Sequence, residues 1–169
     1  MRTWIALLSL LVLSACGFHL RGSQSGGAYE LAYDSLYISL PETDELRALL
    51  KRTIAAGSKT KVVDTAQEAQ ATMQVIGDNT AKNILSIGAD GRVREFQLVR
   101  SFAFRVQDKA GNELLPSSQI IVRRDITFSD AAVLSKEAEE TLLWREMQND
   151  LTQQILRRLV AAKAQPRAE

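Results

Sequence analysis

Cys16 and His19 are the chain's single cysteine and single histidine, three positions apart in the stretch "LSACGFHLRG". A thiol beside an imidazole could form a nucleophile with its base, or two ligands of a metal site. What precedes them points elsewhere. Met1 and Arg2 are followed by a nearly unbroken apolar run from Thr3 to Val12. A short positive start, an apolar run of about 7–15 residues and then small residues make a secretory signal peptide. The run falls short of the about 20 residues a transmembrane helix needs. Leu13, Ser14, Ala15 and Cys16 match the lipobox cut by bacterial lipoprotein signal peptidase. Cys16 is therefore expected to be the diacylated first residue of the mature chain. A lone cysteine in an exported protein cannot form an internal disulfide, and lipidation accounts for it. Each buried methylene contributes ~0.8 kcal/mol, so two or three acyl chains hold firmly where one is marginal. Gly17 stands where an aspartate would signal inner-membrane retention, which favours the outer membrane.

Catalysis finds little to work with. His19 is the only candidate imidazole base, and it lies next to the anchor; a thioether at Cys16 is neither nucleophile nor metal ligand. The sequence has no GxSxG, HExxH, Walker loop or CxxC. Glu137, Glu139 and Glu140 read as solvated early turns of a helix rather than acid–base pairs. No cofactor, no metal site and no enzymatic activity are expected. The whole chain carries 21 basic and 20 acidic residues. Arg2 leaves with the signal, so the mature charge is balanced and offers no general attraction for nucleic acid.

These residues must be carried by a scaffold, and its elements can be traced. Residues 1–15 are read as the signal peptide, 16–28 as a lipid-anchored tether containing "GSQSGG", 29–164 as one α+β domain and 165–169 as a disordered tail. A strand is expected around 34–40, stopped by Pro41. Thr43, Asp44 and Glu45 open a helix, with Leu46, Leu49, Leu50 and Ile54 on one face and Gly57 as its stop. "KTKVVD" suggests a short strand, and "ATMQVIGDNTAKNILSIG" a long, weakly alternating one with Met73 and Val75 on one side. Asp90-Gly91 marks a hairpin. Beyond it Phe96, Leu98, Phe102, Phe104 and Val106 alternate with polar residues, as a half-buried antiparallel strand does. "DKAGNE" turns into a last strand with Ile120, Val122, Ile126 and Phe128.

From about Ser135 to Ala164 a long helix is expected, with Leu143, Met147, Leu151, Ile155 and Leu159 as its apolar stripe. The fold class is α+β: a two-layer sandwich, with a mostly antiparallel four-stranded sheet and two helices on one face. The other face would carry Gln97, Ser101, Arg105, Gln107, Arg123, Asp125 and Thr127 toward water or a polar partner. Arg100 and Arg124 fall on the apolar face by parity and are expected near strand ends, snorkelling outward.

The words "CGFHLRG", "ADGRVREFQL" and "LSKEAEETLLWREMQNDLTQQILRRL" together resemble the LPS-assembly lipoprotein family LptE, over nearly the whole mature chain. The resemblance implies a non-enzymatic outer-membrane lipoprotein on the periplasmic side. It would plug the lumen of the LptD β-barrel, help that barrel assemble, bind lipopolysaccharide and assist its delivery to the outer leaflet. Phe18 and Leu20, flanking His19, would pack against the barrel wall or membrane surface. The resemblance places anion contacts around the hairpin and near the start of the last helix. There the chain offers Arg92, Arg94 and Lys136, with Arg123 on the last strand, as lipopolysaccharide-binding candidates. The family's basic turn residue corresponds to Ala89 here. A second reading is an auxiliary lipoprotein of an ABC-type lipid transport system, which would fractionate with the inner membrane.

Overall fold

The structure is a computed structural model, and it describes residues 29–162. The signal peptide, Cys16, His19, the tether and the tail from 163 onward lie outside the described residues. The elements run β1 (Ser35–Ile38), α1 (Glu45–Gly57), β2 (Lys61–Val63), β3 (Ala71–Ile87), β4 (Val93–Asp108), β5 (Glu113–Thr127), a 3-10 turn (Asp130–Ala132) and α2 (Val133–Ala161).

The sheet departs from expectation. It has five strands in the order β2-β1-β3-β4-β5, and it is mixed. β1 runs parallel to both β2 and β3, while β3, β4 and β5 form an antiparallel meander. The reason is α1. A helix between two strands returns the chain to the end it started from, and the strands it joins come out parallel. A hairpin-only reading of the sequence could not place β1, because its pairing runs through a crossover.

α1 begins where Asp44 caps it: the Asp44 Oδ1 accepts the Leu46 and Arg47 N–H groups at 2.8 and 3.2 Å. Leu46, Leu50 and Ile54 are fully buried under it. At its end Gly57 is the last helical residue rather than the expected stop, which falls at Ser58 in extended backbone; Gly57 is needed for room, since a Cβ there would collide with the Tyr29 ring. The Tyr29 N–H donates to the Gly57 carbonyl at 3.1 Å, which starts the described chain against the end of this helix.

β3 alternates weakly for a physical reason. Its pairing with β4 slips between Val75 and Gly77, leaving Ile76 as an extra residue. Before the slip Ala71, Met73 and Val75 face the helices; after it Asp78, Thr80, Lys82 and Ile84 do, opposite Phe102, Arg100, Leu98 and Phe96. A strand read straight through mixes the two parities.

α2 spans 29 residues, ~43 Å at helical rise. It starts two residues before the expected Ser135 and, at Ala161, ends short of the expected Ala164. Met147, Leu151, Ile155 and Leu159 of its stripe are fully buried, and Leu143 is half-buried at the edge of the cluster. Both helices pack on one face of the sheet over a single core with Phe102 and Phe104 at its centre.

Arg100 does not sit at a strand end. It lies mid-strand beneath α2 with its side chain 12% exposed, and bonds both Asp78 and Gln148. The polar residues that β3 turns toward α2 supply its partner, so it has no need to reach solvent. Arg124 is likewise held across to α2, by Asp150 at 3.3 Å.

Candidate ligand site at the hairpin end

The β3–β4 turn brings the first cations into place. The Gly91 N–H donates to the Gly88 carbonyl at 2.9 Å, and Gly88 N–H to the Arg92 carbonyl at 2.7 Å. The turn requires φ +77 at Gly91, a left-handed value that glycine adopts without strain. Arg92 then crosses to the 3-10 turn ahead of α2, where its Nη1 meets the Asp130 carboxylate at 2.9 Å. Arg94 lies over Gly88, where an added Cβ would strike its guanidinium. It makes no ion pair with the described residues.

A cleft of about 630 Å³ opens here, lined by Arg92 and Arg94 together with Glu95, Phe128, Ser129 and Asp130. A second hollow of about 90 Å³ adjoins it across Thr127 and Phe128, lined by Lys82, Phe96, Val133, Lys136 and Glu140. Phe96 and Phe128 stand edge to face at 5.5 Å. The Lys82 ammonium sits 4.4 Å above the Phe96 ring. Lys136 donates to the Thr127 hydroxyl and to Glu139, both at 2.8 Å. The first turn of α2 has no side-chain cap and continues directly from the 3-10 turn.

Arg92, Arg94 and Lys136 are thus brought to the same end of the fold, the arginines in the larger hollow and Lys136 in the adjoining one. Arg123 is not. It pairs with Val99 on the helix-free face of the sheet, four residues back along β5 from Thr127, ~13 Å away at strand rise.

Lys82 is the residue that reading along the chain missed. Counting outward from the Gly88–Arg92 turn would have found it, since that count sets Lys82 opposite Leu98 on the core face. Glu140 is also not the solvated charge its position suggested. Its side chain is 23% exposed and meets Lys82 at 2.6 Å. It accepts a bond from the Trp144 indole N–H at 3.3 Å. Burial pushes its carboxyl up, but the bonds from Lys82 and Trp144 and the Lys82 charge outweigh that and hold it below the usual value.

Most cations here therefore already have a carboxylate. Such a site suits an anion able to displace it, and one with apolar surface: Ile87, Val133 and Leu134 are exposed at this end by 60, 39 and 83%. Among the described residues there is no cluster of acids, histidines or cysteines fit to hold a metal. No described helix is long and apolar enough to cross a membrane.

Comparisons with known proteins agree on one family. The family model described as LptE, lipopolysaccharide-assembly, matches residues 33–159. The chain is 31% identical to the LPS-assembly lipoprotein LptE of Pectobacterium atrosepticum, over 94% of its own length and 84% of that protein's. Among solved structures it is similar to a lipoprotein B from Nitrosomonas europaea, with 39% identity, a TM-score of 0.71, and 86% of this chain and 91% of that one covered. The rare lipoprotein B of Shewanella oneidensis gives 28% identity and a TM-score of 0.62, over 73% of this chain and 91% of that one. The α+β fold shared with these lipoproteins and sequence matches across most of the chain's length agree: this chain belongs to the LptE family of lipopolysaccharide-assembly lipoproteins.

Proposed function

We propose that the protein is held in the outer membrane by lipid on Cys16, occupies the lumen of an LptD-like β-barrel from the periplasmic side, and helps that barrel assemble. In that position it binds lipopolysaccharide and assists its delivery to the outer leaflet. Its role is binding rather than catalysis. The observation that carries the ligand reading is the placement of Arg92 and Arg94 in one hollow and Lys136 in a second that adjoins it across Thr127 and Phe128. Lipid A and the inner core carry phosphates and carboxylates beside acyl chains. Guanidinium and ammonium groups recognise the former by charge-assisted hydrogen bonds. Arg123 lies too far along the sheet to share one headgroup with these three.

The lumen reading draws on the balanced mature charge, the compact two-layer body and the "GSQSGG" linker behind the anchor. Affinity purification from detergent-solubilised outer membranes tests it: a large heat-modifiable β-barrel should co-purify at one to one. Fractionation with an inner-membrane ABC transporter instead would favour the auxiliary-lipoprotein reading. The ligand reading is tested by replacing Arg92, Arg94 and Lys136 with serine and measuring lipopolysaccharide binding at two salt concentrations. Weaker binding with a shallower salt dependence is expected. Unchanged affinity in a folded variant would overturn the site and leave the plug role standing.

A further inference from the structure

We propose that the outer edge of β3, over Gly77–Ile84, is a strand-addition site that takes an extended segment of the barrel chain as a sixth strand. The proposal rests on the plug reading above for the identity of that chain; the edge itself is a feature of the fold. β1 covers β3 only at Ala71, Thr72 and Met73. Two further bonds extend the cover slightly, from Ser39 N–H to the Met73 carbonyl at 3.0 Å and from Val75 N–H to the Ser39 hydroxyl at 2.9 Å. From there to Ile87 the edge has no neighbouring strand among the described residues. Irregularities at Ile76 and Leu85 bound a regular eight-residue run, ~27 Å of strand.

A row of N–H and C=O groups at strand spacing is matched fully only by another extended backbone. That defines the chemistry of the occupant.

Natural sheets guard such edges with charge, proline or short length. The other edges of this sheet do so: β2 has three residues, and β5 carries Pro116 and the exposed Arg123. β3 has no proline. Its two charges in this run are turned away from the edge. Asp78 is clamped by Arg100 at 2.7 Å and Lys82 by Glu140 at 2.6 Å, both under α2. The guards are present in sequence and disarmed in structure. At the ends of the run Ile76, Ile84 and Leu85 are exposed by 54, 55 and 46%. They offer apolar contacts to the alternate side chains of an added strand. A closed barrel has no free strand edge of its own, so the segment comes from one of its loops or termini.

The test is site-specific photo-crosslinking in the intact complex. Photoreactive side chains are placed one at a time at Asn79, Ala81 and Asn83 of the full chain, co-expressed with the barrel. Ser101, on the same face but on β4, which has a strand on either side, serves as control. The expected result is crosslinks from all three edge positions, none from Ser101, and barrel residues that step by two as the probe does. A barrel that co-purifies without edge crosslinks overturns the proposal and leaves the plug reading intact. So do crosslinks to a second copy of the chain or to its own residues 16–28. A barrel that does not co-purify at all removes the plug reading and this proposal together.

Discussion

Arg100 grips Asp78 with two parallel bonds, Nε to Oδ1 at 3.0 Å and Nη2 to Oδ2 at 2.7 Å, while Nη1 reaches Gln148 of α2 at 3.3 Å. The two residues are 22 apart in sequence and meet because the Ile76 irregularity sets Asp78 opposite Phe102. Together with Lys82–Glu140 they form a polar layer between sheet and helix at the end where the apolar core stops.

That layer is half-buried, so losing one partner lies between the near-zero cost of an exposed pair and the larger cost of a buried charge left alone. Arg100→Ala and Asp78→Ala should each destabilise the fold by about 2 kcal/mol. The double variant should cost clearly less than the sum of the two. Urea denaturation of the four proteins measures the coupling; additive effects would show the pair to be idle.

Glu140 gives stability a sign with pH. Its folded carboxyl titrates below the 4.5 of a free glutamate. It therefore contributes stability that is present above that value and lost as pH falls through the lower, folded one. Glu140→Gln should flatten this part of the acid limb of a stability profile and leave the slope above pH 5 unchanged. An unaltered acid limb would refute the assignment.

In the core, Leu151 is fully buried between α2 and the sheet, whereas Leu142 on the same helix is 54% exposed. Leu151→Ala should cost about 2–5 kcal/mol through lost transfer energy and a cavity. Leu142→Ala should stay within about 0.5 kcal/mol. Thermal melts separate them easily.

Two local devices can be tested apart from the core. Asp44→Ala removes the oxygen that accepts two N–H groups at the start of α1, for about 1 kcal/mol. Gly91→Ala forces a Cβ into φ +77 and should cost about 1–2 kcal/mol, with Gly91→Asn milder. Equal stability of the alanine and asparagine variants at Gly91 would mean that the turn changes conformation.

Much of the scaffold was legible because it is written in local chemistry. The alternation of Phe102, Phe104 and Val106, the Asp90-Gly91 turn and the four-residue stripe of α2 all state their geometry over short stretches. The cluster of Arg92, Arg94 and Lys136 was legible for a related reason. Both arginines follow one hairpin turn, and Lys136 follows the strand that pairs beside it. Arg123 misled because nearness in sequence to the same strand end says nothing of thirteen ångströms along it.

The sequence by itself determined the near-even charge, the single-sided amphipathic strands and both helices. Each follows from residue type and spacing within one segment. Only the tertiary structure decided the rest. β1 lies parallel between β2, which the α1 crossover brings back beside it, and β3, which follows β2 through the 64–70 connection. Lys82 faces Glu140, and Asp78 faces Arg100, because a one-residue slip at Ile76 reassigns which side chains look inward. β3 is left with an open edge because β1 is only four residues long. Pairing between distant segments is set by the summed burial of the whole sheet against two helices, and no short stretch of the chain contains that sum.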